Sequence, residues 1–400
     1  MRCNIDPIIN KLLFANILGL YCFNNAPVIG RFVSISLFLM VFLQFLNQLS
    51  KKGVRFNIID FVVVLFGIYS FFLKEYILGI WSSLLHVNVQ TAITIAISCL
   101  LYISISMYAE NNQKRTMVLN YVSICGFILA TYSLVIVRQN IVYGLHTPEM
   151  AVYLQHFGLQ SNEMGICFGL SFLSSMYLFN IKNNKKNMAF FIINLIFMFL
   201  SGSRKSLVFL LVGASIYFLV QYNSKLLNRF ILILLFTVIC YYSIMRVPIL
   251  YNIVGRKIDS LYDVLSGGRG TDSTYTRYVM FEYGIKLIKK KFYFGYGYSA
   301  FRYMYGNWTG NYKYSHNNYI ELMVSGGLVL TIIFYLRYII ALLRLRKSLW
   351  TNEESKLYFS IILTIIILDF STVSFYSQIF IIFMGVVSAY LKDIYEITIK

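Results

Sequence analysis

The 400-residue chain is 58% hydrophobic and 13% charged, with a mean hydropathy of +0.67. Soluble domains carry about 25% charged residues, so this composition, which is even along the chain, excludes a large soluble domain. A net charge of +19 would suggest nucleic-acid binding in a soluble protein. Here the basic residues lie mostly in short loops between apolar runs, which favours anionic lipid head groups or a phosphorylated substrate and argues against nucleic acid.

Apolar segments of roughly 15–22 residues, long enough to cross the hydrocarbon core of a membrane, recur along the chain. They lie near residues 8–23, 28–48, 57–73, 88–108, 116–137, 163–181, 187–203, 205–222, 228–246, 318–343, 357–372 and 374–392. The predicted fold is all-α, a polytopic bundle of about twelve transmembrane helices. Residues 1–246 hold helices 1–9, residues 247–317 form a long loop, and residues 318–400 hold helices 10–12. Two closely spaced pairs of segments leave the count open between eleven and twelve.

The short loops that are rich in lysine and arginine alternate with loops that are poor in them. Basic loops near residues 51–55, 114–115, 182–186 and 344–347 are predicted to be cytoplasmic. Both termini are then inside, and the long loop is outside together with all four histidines. Within that loop, residues 251–265 and 275–291 have helical apolar spacing, and lysines cluster at the end of the second helix. Such basic amphipathic helices often lie along a membrane surface.

Metal ligation and disulfides are not indicated. The six cysteines fall mostly inside apolar runs, without a Cys-x-x-Cys pair, and we interpret them as packing residues. No cluster of His, Cys, Asp and Glu has the spacing of metal ligands. The carboxylates of the long loop are scattered among basic residues, which predicts salt bridges, although a mechanism with paired carboxylates stays open.

Arg204 follows Ser201-Gly202-Ser203 between two apolar runs, with almost no loop. An ionisable residue at membrane depth usually faces a cavity, and exposed backbone N–H groups beside a guanidinium suit a phosphate. An arginine that extends its side chain to the interface is an equally good interpretation.

The long loop contains two weaker signals. Arg269 lies within Gly267-Gly268-Arg269-Gly270 and Arg277 lies near the next helix start, so the pair could grip a diphosphate. A solvated loop is the simpler interpretation of this pattern. The tyrosine-rich stretch from Tyr293 to Tyr305, which includes Tyr298, could stack sugar rings or form an interfacial aromatic belt.

Ser315-His316-Asn317 closes the loop and opens the tenth helix, and it is the strongest local signal. Ser315 is predicted to cap that helix, with Asn318 or Glu321 satisfying further groups of the first turn. Helix capping does not explain why a histidine occupies position 316. A histidine near the lipid boundary is a natural general base, although most single histidines are not catalytic.

Together these motifs resemble the O-antigen ligase/polymerase superfamily of bacterial surface-polysaccharide enzymes. Four stretches match in order: 158–163, with Asn162 at the start of a mid-chain helix; the Gly-Ser-Arg turn at 201–204; the helix opened by Arg277 that ends at the turn 295–297; and 315–317, followed by Gly326-Gly327. The resemblance covers about residues 158–335. It departs at Tyr278, where the family often has tryptophan, which weakens the alignment of Arg277.

The resemblance implies a glycosyltransferase that acts on an oligosaccharide linked to undecaprenyl diphosphate, at the outer face of a bacterial inner membrane. Arg204 and Arg277 would stabilise the leaving diphosphate, and His316 would deprotonate the attacking sugar hydroxyl. Two guanidiniums would supply the positive charge, so no metal or other cofactor is expected, and the anomeric carbon would invert. Substrate-binding residues are predicted to be Arg269, Asn162, Ser203, Asn317 and Tyr298, and a chain-length regulator is a candidate partner.

The sequence is compatible with three functions. A polymerase is favoured weakly, because the chain is rich in Ile, Asn, Lys and Tyr. A ligase would share the donor and the site but would use lipid A–core oligosaccharide as acceptor. A flippase or other transporter would need charged residues along a path through the bundle, where the sequence offers chiefly Arg337 and Asp369.

Overall fold

The computed structural model describes residues 6–22, 35–44, 56–76, 85–137, 160–221, 226–268 and 272–395. All regular elements in these ranges are helical. In chain order they are α1 (Asp6–Cys22), α2 (Ile35–Gln44), α3 (Ile58–Tyr76), α4 (Leu85–Tyr108), α5 (Asn112–Val137), α6 (Ser161–Lys182), α7 (Lys185–Leu200), α8 (Arg204–Gln221, π-helical over Phe209–Ala214), α9 (Leu226–Arg246), α10 (Arg256–Leu265), α11 (Asp272–Lys290), α12 (Ala300–Thr309), α13 (Asn318–Ser348), α14 (Glu353–Leu368) and α15 (Gln378–Ile394). A short turn, Pro248–Leu250, and a π-helical turn, Tyr251–Gly255, precede α10.

The predicted all-α membrane fold is confirmed in its coarse form. Within the described ranges, five helices are long and apolar enough to cross a membrane: Thr91–Tyr108, Asn112–Ile136, Ser161–Lys182, Arg204–Gln221 and Asn318–Ser348. Each of the predicted spans overlaps a helix, since apolar runs of this length bury their backbone polar groups only by forming one. The chain is a multi-pass membrane protein, and the count of about twelve spans stays a prediction.

The described residues form two compact units, each assembled from three separate stretches of chain. The first unit comprises Met1–Gly53, Tyr108–Asp259 and Leu345–Thr364, and the second comprises Val54–Met107, Ser260–Arg344 and Ile365–Lys400. In the first unit, α6 is central, because it is buried continuously from Met164 to Leu178 and packs against both α5 and α7. A helix that is apolar on every face is typical of the core of a bundle.

Each unit contains a buried ion pair between side chains of different helices. In the first, Arg115 donates from Nε and Nη2 to the two carboxylate oxygens of Glu354, each at 2.9 Å. In the second, Lys392 Nζ lies 2.7 Å from Asp60, whose other oxygen accepts a 2.6 Å hydrogen bond from Tyr102. The sequence predicted chiefly Arg337 and Asp369 as charges within the helices; both are buried, but these two ion pairs are buried as well. Paired charges of this kind satisfy each other, as burial in an apolar medium requires.

Helix α13 is broken at Gly327, where φ is +65° and ψ is −160°. The segment 292–297, which precedes α12, lies against this break. The backbone N–H groups of Tyr296 and Gly297 donate to Val324 and Ser325 (2.7 and 2.6 Å), and the N–H of Leu328 donates to Phe292 (2.9 Å). Since no water is available inside a membrane, a break in a helix persists only where other protein groups complete its hydrogen bonds. The loop segment supplies those groups.

The Gly327→Ala substitution should strongly lower the thermal stability of the purified protein. The backbone at Gly327 is left-handed, and a Cβ there would overlap the backbone of Tyr293 and Phe294. Fluorescence-detected unfolding in detergent measures the change in Tm. Gly267→Ala is the matched control, because its φ is +93° but its Cβ would meet open space, so it carries only the conformational penalty of about 1–2 kcal/mol. Equal losses of Tm in the two variants would contradict the close packing of the segment 292–297 against Gly327.

The long loop contains its predicted amphipathic helices, α10 and α11, and adds the shorter α12. Helices α11 and α12 pack with the start of α13 in a small apolar core of Met280, Leu287, Ala300, Phe301, Tyr305, Ile320 and Val324. Gly306 on α12 lies directly beneath the Tyr312 ring. The long loop is thus anchored to the residues that immediately follow the Ser-His-Asn motif.

Candidate active site

The Gly-Ser-Arg turn is a compact, buried connection between α7 and α8. Ser201 caps the end of α7 and donates to the Met198 carbonyl (2.7 Å), while Ser203 caps the start of α8 by accepting from the Lys205 N–H (3.2 Å). Ser206 donates to the Ser203 carbonyl at 2.6 Å. All three serines are almost completely buried. Small hydroxyl side chains that bond to the nearest backbone groups explain how two helices join here without a loop.

The predicted residue Asn162 lies beside this turn. Its side-chain oxygen accepts a hydrogen bond from the Ser203 hydroxyl at 3.2 Å. Gly165, one turn further along α6, allows the close approach, since a Cβ there would lie 2.6 Å from the Ser203 Cβ. The structure therefore brings together two sequence-predicted binding residues, Asn162 and Ser203, at the start of α6 and α8.

Arg204 is half-buried and occupies the first helical position of α8, followed by the buried Lys205. The first turn of a helix carries a partial positive charge from its backbone N–H groups. Two cations at this position therefore add to a positive potential that a carboxylate or phosphate would neutralise. Lys205 was not among the candidate residues from sequence, because an adjacent lysine is indistinguishable from an interfacial one without knowledge of its burial.

The Ser-His-Asn motif forms a tight turn before α13. Asn317 caps the helix by accepting from the Ile320 N–H (3.1 Å), and the Ser315 hydroxyl donates to the Asn317 carbonyl (2.8 Å). The buried Glu321 accepts from the Ser315 N–H at 3.0 Å. The prediction that Ser315 caps the helix is thus wrong, and Asn317 has that role. Ser315 instead stabilises the turn that precedes the helix, through the hydrogen bond from its hydroxyl to the Asn317 carbonyl.

His316 lies between the buried Ser315 and Asn317 and is itself only half-buried. Its backbone is left-handed, with φ of +55°. Few residues other than glycine adopt this conformation, although histidine, asparagine and aspartate do so more often than most. The surrounding turn holds that conformation with hydrogen bonds on both sides. Backbone strain of this kind concentrates at functional sites and switch regions.

Arg277, at the start of α11, and His316 are linked through Tyr314. The Tyr314 and His316 ring centroids lie 4.1 Å apart. Burial lowers the pKa of the Arg277 guanidinium, and the nearby Tyr314 phenol opposes that shift. In the second unit Tyr314, which sequence reasoning did not single out, therefore contacts the His316 ring and exerts an electrostatic influence on Arg277. Only its position directly before the Ser-His-Asn motif could have suggested it.

Asn318, directly after the cap, attaches the start of α13 to the turn between α14 and α15. Its side-chain N–H₂ group donates to Tyr335 (2.9 Å) and Asp369 (3.2 Å), and its oxygen accepts from the N–H groups of Ser374 and Phe375 (2.9 and 3.1 Å). Asn318 is completely buried. All of its hydrogen-bonding groups are used. They fix the start of α13, which directly follows the turn that contains His316.

Two other predicted binding residues are placed differently. Tyr298 is buried, donates to the Ser70 hydroxyl at 2.6 Å and stacks on Phe375. This position accounts for Tyr298 as a packing residue, and its contact with substrate stays a prediction. Arg269 lies outside the described residues. Among the residues that the structure describes, no group of three or more His, Cys, Asp or Glu side chains is arranged to hold a metal ion.

Comparison with known proteins supports the sequence resemblance. Residues 189–335 match a family model described as O-antigen ligase. The match includes the Gly-Ser-Arg turn, Arg277, the turn at 295–297 and the Ser-His-Asn motif, and it leaves Asn162 outside. No curated protein matches the chain.

Proposed function

We propose that this chain, a member of the O-antigen ligase/polymerase superfamily, is a surface-polysaccharide polymerase. It would transfer the growing glycan from undecaprenyl diphosphate to the next lipid-linked repeat unit at the outer face of the membrane. Family members are glycosyltransferase-like enzymes of polysaccharide synthesis. The observation that carries the proposal is the strained, firmly anchored turn that presents His316 between Ser315 and Asn317.

In the proposed reaction a hydroxyl oxygen of the acceptor sugar attacks the anomeric carbon of the donor glycan. The bond between that carbon and the diphosphate oxygen breaks, and the carrier diphosphate leaves with the bonding electrons. His316 takes the proton of the attacking hydroxyl as general base. Attack opposite the leaving group inverts the anomeric centre.

Charge develops on the diphosphate as the bond breaks. Arg204 is assigned to that charge because its guanidinium, Lys205 and the N-terminus of α8 together favour an anion. Arg277 is assigned the same task beside Tyr314 and His316. A guanidinium binds a diphosphate through two parallel N–H groups, which is why arginine suits this role better than lysine. With these cations the transfer needs no metal ion.

Deletion of the gene from the bacterium that carries it tests polymerase against ligase. Loss of all long polymer, while single repeat units still reach the lipid A–core, is the result expected of a polymerase. Loss of long polymer and of single repeats together would identify a ligase. Electrophoresis of the surface lipopolysaccharide distinguishes the two patterns, and a plasmid copy of the gene should restore the original one.

A transporter function is less well supported. It would need charged residues along a path through the bundle, whereas several buried charges of the described helices form ion pairs with each other. Arg115 with Glu354 and Asp60 with Lys392 are held within the two units. Movement of carrier-linked repeats across liposomes by the purified protein, without any polymer formed, would overturn the enzyme proposal.

A further inference from the structure

We infer that Trp308, Tyr312 and Tyr314 form a strip that binds the saccharide part of the lipid-linked substrate and directs it to His316. This inference rests on the proposed function and names a binding surface for its glycan. These three residues, all in the second unit, are termed the aromatic strip. Their side chains are 57%, 49% and 41% exposed, respectively.

Trp308, the first residue of the strip in chain order, is exposed yet held in place. Its ring is stacked on Tyr283 at a centroid distance of 4.9 Å and an interplanar angle of 3°. The Tyr283 hydroxyl in turn donates to the Met304 carbonyl at 3.0 Å. One ring face therefore rests on Tyr283 while the indole keeps more than half of its surface open. A rigid aromatic ring binds with little loss of conformational freedom.

Tyr312 is the second residue of the strip in chain order and is fixed at three points. Its hydroxyl donates to Asn307 Oδ1 (3.1 Å), its carbonyl accepts from Arg302 Nε (3.0 Å), and its ring covers Gly306. The Tyr303 ring lies edge-on to it at 6.0 Å. A ring held in this way presents one orientation to the solvent. The Asn307 amide and the Arg302 guanidinium lie beside this residue.

Tyr314 is the last residue of the strip in chain order and adjoins the proposed general base. Its ring lies 4.1 Å from that of His316, and its phenol is close enough to Arg277 to influence that guanidinium. A sugar bound over Tyr314 would therefore place its hydroxyl groups next to the proposed general base. Tyr314 thus places an exposed ring of the strip directly beside the proposed general base.

The residues between the rings favour a sugar over a lipid. One face of a pyranose ring carries C–H groups that pack on the electron-rich face of an aromatic ring, while its hydroxyls need polar partners at the rim. From Asn307 to Tyr314 the chain reads Asn-Trp-Thr-Gly-Asn-Tyr-Lys-Tyr, with no aliphatic residue. Aromatic belts at lipid interfaces likewise use Trp and Tyr, so the polar neighbours, rather than the rings alone, favour the sugar. The alternation of rings with amides, a hydroxyl and a lysine suits a carbohydrate.

The first test uses the fluorescence of Trp308 in the full-length protein. The chain has three tryptophans, so the double substitution Trp81→Phe and Trp350→Phe leaves Trp308 as the sole emitter. The probe is the repeat-unit oligosaccharide released by mild acid from its lipid carrier in the same bacterium. A saturable change in emission is expected. No response to the oligosaccharide, together with quenching by brominated phospholipid, would overturn the strip and identify a lipid belt.

The second test measures polymer formation from lipid-linked repeats by the purified enzyme. Trp308→Ala should raise the half-saturating concentration of substrate about tenfold, the size of one aromatic contact, with a smaller effect on the maximal rate. Trp308→Phe should retain most of the affinity. Trp350→Ala, which removes another exposed tryptophan, is the control and should not change it. An unchanged half-saturating concentration in Trp308→Ala would overturn the strip.

The same assay separates this inference from the proposed function. If His316→Asn abolishes transfer while Trp308→Ala behaves as wild type, the strip fails and the transferase stands. If His316→Asn transfers normally, the role of His316 as base fails, and with it the role of the strip in presenting a sugar to that histidine. If the wild-type protein forms no polymer from lipid-linked repeats, the proposed function itself fails.

Discussion

Replacing His316 with asparagine should lower the rate of polymer formation by about two to four orders of magnitude, the contribution typical of a general base. Asparagine is the informative replacement because it tolerates the left-handed backbone that His316 adopts, with φ of +55°. The turn should therefore persist while the proton acceptor is lost. His316→Ala should be equally inactive, although it also places a less suitable residue in that conformation. The rate is measured with purified protein and lipid-linked repeats.

His146→Ala is the matched control, since the sequence predicts this histidine on the same side of the membrane. It should retain normal activity. Comparable amounts of each variant in the membrane fraction would exclude a folding defect. Polymer of normal length in cells that carry only His316→Asn would contradict the role of His316 as base.

The Arg204→Ala substitution should reduce the rate by about two to three orders of magnitude, as removal of one preorganised electrostatic contact to a developing charge does. The loss should fall mainly on the maximal rate, because the charge on the diphosphate grows as the glycosidic bond breaks. Arg204→Lys should recover only part of the activity, since an ammonium cannot form two parallel hydrogen bonds to a phosphate. Rates at saturating substrate measure both effects.

Arg256→Ala provides the control for general loss of positive charge. Arg256 is exposed at the start of α10, and its removal should leave the maximal rate within about twofold of the wild type, as is usual for surface substitutions away from a site. If Arg204→Ala retained a normal maximal rate and raised only the half-saturating concentration, Arg204 would be a ground-state binding residue and its proposed part in the chemical step would be wrong.

Much of the secondary structure followed from local patterns. The apolar runs near residues 163–181 and 318–343 correspond to α6 and α13, because a long apolar segment determines a helix almost irrespective of its neighbours. The amphipathic spacing at 275–291 likewise predicted α11. The membrane character and the family resemblance needed nothing beyond these runs and four short motifs.

Long-range pairings could not be inferred in this way. Arg115 and Glu354 are 239 residues apart, and nothing in either local pattern indicates the partner. The same limit explains the wrong cap assignment, because Ser315, Asn317 and Asn318 are all good capping residues and only the backbone path selects Asn317. The aromatic strip was not predicted from the sequence, because the exposure of its rings and the contact of Tyr314 with His316 depend on tertiary packing.

The break at Gly327 has a consequence for the biogenesis of the protein. Residues 328–348 alone are long enough to cross the hydrocarbon core, whereas residues 318–326 form only two to three turns, at about 1.5 Å per residue. We expect the membrane-insertion machinery to recognise the longer part as the transmembrane segment. The shorter part, which follows His316, would then fold only once the segment 292–297, which is synthesised before it, docks against it. Assembly of the candidate catalytic turn is thus tied to maturation of the outer loop.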